Sequence, residues 1–122
     1  MSDSTVVRDQ TDNASARATG IVGRVMLVNT FKPKPGQMQA FIDTQSAEYV
    51  RLKNKVPGSI GNRLGRSVDG DELVNVALFA DLASYNAWRN SDLFAEHLEI
   101  IKPLIESAKP GMYEVIYVGG DF

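Results

Sequence analysis

The sequence predicts an α+β fold with the element order β-α-β-β-α-β, and three observations predict it. Ile21–Phe31 and Leu73–Ala80 carry apolar residues at the period of two that marks strands. A segment starting near Pro35 and the segment Asp81–Ser107 carry them at helical spacing. Asp69–Gly70 stands between two strand-like runs as a hairpin signal.

In the first strand, Ile21, Val25, Leu27 and Phe31 share one face with Asn29, while Val22, Met26 and Val28 share the other. Both faces are therefore apolar, which reads as a strand buried on both sides. Pro33, Pro35 and Gly36 end it. Met38, Phe41, Ile42, Tyr49, Leu52 and Val56 then form one stripe on a helix of roughly 20 residues, interrupted by Gln45. Pro57–Gly58 stops that helix. A weaker strand, about Ser59–Val68, holds Gly61 and Gly65, which signal a bulge or a close backbone approach.

Asp81–Ser107 is expected to be helical but bent. Asp81 caps its first part, and Ser91 or Asp92 caps a second helix that begins at Leu93. Leu93, Phe94, His97, Ile101 and Leu104 share a face of that second helix, and Pro103 kinks or restarts it. The last strand is expected after Pro110–Gly111, over Met112–Val118, with Tyr113, Val115 and Tyr117 on one side. Met26, Met38 and Met112 read as core filler. The order is that of the ferredoxin-like split βαβ, an antiparallel sheet with two helices on one face. A sheet with helices on one face but apolar residues on both needs a second cover. A second copy of the same sheet is the economical one, so a homodimer through sheet faces is expected.

The chain of 122 residues is one domain in length. Residues 1–20 are polar and small, with Val6 and Val7 the one apolar pair, and read as a flexible arm ahead of a domain over 21–119. A net charge of −2 argues against nucleic acid and against an anionic membrane surface. No cysteine is present, which excludes disulfides, thiolate nucleophiles, iron–sulfur clusters and cysteine-ligated zinc. One histidine, His97, excludes a multi-histidine zinc site within the chain, and no G-x-S-x-G elbow supports a serine triad. No apolar run approaches the ~20 residues of a membrane helix, and no secretory leader is seen, so the expected location is cytoplasmic. No G-x-G-x-x-G follows a strand, so no flavin or nicotinamide site is expected, and no tightly bound cofactor.

Three residues stand out against apolar surroundings: Asn29 on the first strand, Trp88, the sole tryptophan, and His97. Taken singly, His97 and Trp88 have ordinary readings as core residues. Asn29 needs partners for its amide, and a pocket would supply them. Nine residues at about 100° each put Trp88 and His97 half a turn out of phase on one straight helix. A break near Asn90–Asp92 lets both face one cleft. The acid pairs Asp71–Glu72 and Glu96–Glu99 lack the apolar isolation that raises a carboxyl pKa and read as solvated surface.

The stretches VMLVNTFKPKPGQMQAF, KVPGSIGNRLGR, LVNVALFADLASYNAW and SDLFAEHL resemble the antibiotic biosynthesis monooxygenase (ABM) superfamily of dimeric α+β barrels over about 20–119. The haem-degrading branch of that superfamily carries an Asn on the first strand and a Trp and a His on the second long helix, types that fall here on Asn29, Trp88 and His97. The resemblance implies a monooxygenase, with haem as both substrate and oxygen activator and an external electron donor. His97 would ligate the haem iron, Trp88 would distort the porphyrin, and Asn29 would donate to iron-bound dioxygen. Arg63 and Arg66 are candidates for the propionates by charge alone. Haem oxidation is the leading expectation; the alternative that the resemblance implies is a cofactor-free anthrone or quinol oxygenase of polyketide or aromatic metabolism. There Asn29, Trp88 and Tyr49 or Tyr85 would line a dry pocket, with His97 as base or wall. A dimer that binds a small apolar ligand without catalysis is the third expectation.

Overall fold

The computed structural model describes residues 20–120. The expected N-terminal arm, Gly20 apart, lies outside the described residues. The elements are β1 (Val25–Pro33), α1 (Met38–Leu52), β2 (Ser59–Arg66), β3 (Leu73–Phe79), α2 (Leu82–Arg89), α3 (Asp92–Ile101), a 3-10 turn (Lys102–Leu104) and β4 (Ile105–Glu114). The four strands form one sheet in the order β2-β3-β1-β4, and every neighbouring pair is antiparallel. This is the ferredoxin-like α+β fold the sequence predicts, with its second helix divided in two.

The core lies on one face of the sheet. Val25, Leu27, Ala77 and Phe79 pack with Tyr85 and Trp88 of α2. Phe31 and Leu73 pack with Phe41 of α1 and Ile101 of α3. All three helices therefore cover the face that carries the odd-numbered residues of β1. The even-numbered set, Met26 and Val28, faces the other way with Val74 and Val76, and Tyr113 beside them is exposed. Among the described residues no helix is long and apolar enough to cross a membrane.

Element boundaries differ from the sequence reading where local backbone chemistry intervenes. β1 begins at Val25 and not at Ile21, because Gly23 takes a φ of +101° that breaks the extended run. β1 continues past Phe31 to Pro33, where its pairing with β4 shifts register. α1 stops at Leu52, short of Val56. Lys53 is extended and Asn54 is left-handed with φ 65°, a conformation asparagine tolerates better than most residues. Ile60 is passed over in the β2–β3 register between Ser59 and Gly61, the bulge the glycines suggested. The β2–β3 connection is wider than a two-residue turn, since Ser67 donates its backbone N–H to Glu72 across it at 2.9 Å.

The largest difference is β4, which runs over Ile105–Glu114 and ends before Tyr117. Pro110 and Gly111 lie inside it, paired with Asn29 and Val28. β4 is an edge strand, where a proline is tolerated. The bend in the second helix is as expected. Asp81 accepts a hydrogen bond from the Ser84 N–H at 2.7 Å and caps α2. Ser91, not Asp92, caps α3, accepting from the Phe94 N–H at 3.1 Å. Its hydroxyl also donates to the Trp88 carbonyl at 2.6 Å, which pins the end of α2 to the start of α3.

Gly58 is a position only glycine can fill. Its φ is +83°, and a Cβ there would collide with the Ser84 hydroxyl. Its carbonyl accepts from the Ala80 N–H at 2.8 Å, so the tight turn before β2 docks against the start of α2.

Candidate active site

A cavity of about 580 Å³ opens between the helices and the sheet. Its floor is the covered face of the sheet: Leu27, Asn29 and Phe31 from β1, Asn75, Ala77 and Phe79 from β3. Its roof is Gln45 and Tyr49 from α1, with Trp88, Phe94 and His97 from α2 and α3. Three lining residues, Val50, Ile60 and Leu98, are large apolar side chains left exposed. Asn29, Trp88 and His97 thus line one cavity, as the break at Ser91 allows. The Trp88 ring centroid stands 6.2 Å from that of His97 and 5.3 Å from that of Phe94, the latter edge-on.

Tyr49 also lines the cavity, whereas Tyr85 does not. Tyr85 is buried in the core against Phe79, with ring centroids 5.5 Å apart. Arg63 and Arg66 do not line the cavity either. Arg63 pairs with Val76 in the β2–β3 ladder, on the sheet face away from the helices. Lys53 is the one lysine or arginine among the described lining residues.

Polar groups cross the floor and roof in a chain. Asn29 and Asn75 are register partners on β1 and β3. The Tyr49 hydroxyl donates to Asn75 Oδ1 at 2.7 Å, and Gln45 Nε2 donates to the Tyr49 oxygen at 3.3 Å. Burial raises the Tyr49 phenol above its ordinary pKa, so it remains a proton donor near neutrality. Two acceptors, Asn29 Oδ1 and Gln45 Oε1, are buried without a protein partner. Buried polar atoms in this condition are costly, and a bound molecule with donor groups relieves the cost.

Behind His97 sits a residue the sequence reading missed. Glu48 is buried, 4% exposed, and its Oε1 lies 2.9 Å from His97 Nδ1. Arg51, one turn along α1, holds the same carboxylate with two bonds, Nε to Oε2 at 2.7 Å and Nη2 to Oε1 at 2.8 Å. Arg51 also reaches Glu96 on α3 at 3.4 Å, so Glu96 is solvent-exposed as expected but ion-paired. A signal for Glu48 existed: Phe41, Gln45 and Glu48 fall at i, i+4 and i+7, the buried stripe of α1, with an arginine three residues on.

The Arg51 hydrogen bonds, helped by His97, outweigh burial and hold the Glu48 carboxyl at about 2, below its ordinary 4.5. The folded-state value is depressed, so the stabilisation is full above about pH 4.5 and is lost as pH falls towards 2. Through linkage this depression contributes at most about 3 kcal/mol of stability near neutral pH. Urea unfolding of the wild type and of Glu48→Leu should therefore differ in slope against pH in this window, with the wild type losing more. Parallel acid profiles would contradict the pairing.

Among the described residues no cluster of three or more His, Cys, Asp or Glu could hold a metal ion. No curated protein matches the sequence. The family model for antibiotic biosynthesis monooxygenase (ABM) matches residues 24–99. Among solved structures, the chain is similar to a Caulobacter crescentus CB15 protein provisionally named an antibiotic biosynthesis monooxygenase. The TM-score is 0.73 at 16% identity, covering 87% of this chain and 99% of that one. It is similar to SnoaB, a cofactor-independent oxygenase from Streptomyces nogalater, with a TM-score of 0.62 at 21% identity over 80% of this chain and 97% of that one. It is also similar to NE2512, a protein of unknown function from Nitrosomonas europaea, with a TM-score of 0.68 at 21% identity over 84% and 99%. These likenesses concern the fold. The match over residues 24–99, on a chain with this sheet order and divided second helix, places the protein in the antibiotic biosynthesis monooxygenase family.

Proposed function

We propose that the protein is a cofactor-independent oxygenase that acts on an electron-rich polycyclic aromatic of the anthrone or quinol class. The observation that carries this reading is His97 itself, a histidine lining a largely apolar cavity with Nδ1 engaged by Glu48 and Nε2 not. Histidine titrates near neutrality and suits proton removal from a weakly acidic carbon. Trp88, Phe94, Phe31 and Phe79 supply flat apolar walls, and exposed Val50, Ile60 and Leu98 give an apolar rim. SnoaB, described as a cofactor-independent oxygenase, shares the fold.

In the reaction, a ring CH2 of the substrate loses one proton to His97 Nε2. The negative charge moves to the adjacent carbonyl oxygen, for which the Asn29 side-chain amide on the cavity floor is a hydrogen-bond donor. The carbanion gives one electron to dioxygen, and the two radicals couple into a C–O bond. Cleavage of the O–O bond returns both protons as water and leaves a carbonyl. One oxygen atom enters the product and the other leaves as water. The substrate CH2 supplies all four electrons that reduce dioxygen, so no external donor is needed.

Haem as substrate is supported by the same free nitrogen of His97, backed by a carboxylate as metal-binding histidines are. It lacks its other partners. A porphyrin carries two propionates, and neither Arg63 nor Arg66 lines the cavity, which leaves Lys53. The working unit in either reading is a homodimer through the open sheet face, supported by the apolar Met26, Val28, Val74 and Val76 and by exposed Tyr113 on that face.

The test is oxygen uptake by purified, chelator-treated protein with anthrone. One dioxygen consumed per carbonyl formed is expected. Absence of uptake above the protein-free rate overturns the reading. A parallel hemin titration separates the others: a saturable Soret band that decays with ascorbate in air favours haem oxidation, and a stable band favours a binding dimer.

A further inference from the structure

We propose that Glu48 is a positioning residue that fixes His97 in the Nδ1–H tautomer and so presents Nε2 to the cavity as the lone-pair nitrogen. The catalytic consequence rests on the reading of His97 as the base. The tautomer itself does not depend on that reading.

An ionised carboxylate can only accept hydrogen bonds. Glu48 is ionised across the neutral range, because Arg51 donates to both of its oxygens. The 2.9 Å contact from Glu48 Oε1 to His97 Nδ1 therefore requires the hydrogen on Nδ1. Neutral free histidine favours the opposite tautomer, with hydrogen on Nε2, which could not take a proton from a substrate at that atom. Glu48 thus reverses an intrinsic preference.

The arrangement is rigid for reasons visible in the sequence. Glu48 and Arg51 are three residues apart on α1, so their side chains meet on one face. Arg51 also reaches Glu96, the residue before His97 on α3. The carboxylate and the imidazole are consequently registered by two links between the same pair of helices. A carboxylate that orients a histidine without taking its proton is the geometry that serves general bases elsewhere.

The chain holds one histidine, so uniform 15N labelling gives a single imidazole spin system with no assignment problem. At a pH where the ring is neutral, the wild type should show a protonated, pyrrole-like Nδ1 and an unprotonated, pyridine-like Nε2. Glu48→Leu should shift the ring to the Nε2–H form and lower turnover of the oxygen-uptake substrate about 100-fold, the low end of general acid–base contributions, with KM little changed. Glu48→Asp keeps the charge and should restore part of both. An Nε2–H ring in the wild type overturns the proposal, and that spectrum needs no variant. A ring unchanged in Glu48→Leu overturns it as well. The expected tautomers in a protein that consumes no oxygen would uphold Glu48's role and overturn only the oxygenase reading.

Discussion

Replacing His97 by glutamine should lower anthrone turnover by about 10²–10⁴-fold, the span of a positioned general base. Glutamine is polar and of similar reach but takes up no proton near neutrality. The cavity keeps its walls of Trp88, Phe94, Phe31 and Phe79. The loss should accordingly fall on kcat, with KM changed far less, because stacking of the aromatic does not depend on the lost nitrogen. Oxygen uptake over a range of substrate concentrations measures the split. A variant that raised KM and left kcat intact would make His97 a binding wall.

The second large effect concerns stability. Phe41 is 0% exposed and stands with Phe31 at a ring-centroid distance of 5.1 Å, in the cluster that also holds Leu73 and Ile101. Phe41→Ala should destabilise the fold by about 3–5 kcal/mol, through lost transfer energy and the cavity left between α1 and the sheet. Phe41 lies four and seven residues before Gln45 and Glu48, so loosening this end of α1 also loosens the carboxylate behind His97. Denaturant unfolding at neutral pH measures the effect. A loss under about 1 kcal/mol would mean that α1 carries little of the core's cohesion.

The element order was legible because β1, α1 and β3 carry clear strand and helix periods and Asp69–Gly70 marks the turn that joins the weaker β2 to β3. The convergence of Trp88 and His97 was legible from one capping serine, Ser91, which stops one helix and starts the next. What misled lay at the chain's other end. Leu104 and Ile105 continue the helical spacing of α3, and Pro110–Gly111 reads as a breaker. In the fold these residues fall in a turn and an edge strand, a placement set by pairing with β1 some 80 residues earlier. Tyr85 shows a related limit: its position on α2 is fixed by the helix, but its choice between core and cavity is set by Phe79.

Glu48 was missed for a different reason. A glutamate on an amphipathic helix is ordinarily solvated, and its burial here depends on partners on two helices, one of them His97, 49 residues away. Local pattern reveals the stripe Phe41, Gln45, Glu48 but not what makes a buried carboxylate tolerable. Breaking such a buried pair by removing one partner is strongly destabilising. The packing of α1 against α3 that places His97 at the cavity therefore also supplies the partner that makes a buried Glu48 tolerable behind it.

Proton removal by His97 is the step from which the oxygenase chemistry follows, and anaerobic mixing isolates it from the reaction with dioxygen. Anthrone is to be mixed with the protein without dioxygen, and the absorbance of its enolate anion followed at a pH where free anthrone stays neutral. Anion formation in stoichiometry with cavities is expected in the wild type, and none in His97→Gln. Equal anion formation in both proteins, or none in the wild type while oxygen uptake persists in air, would contradict proton removal by His97.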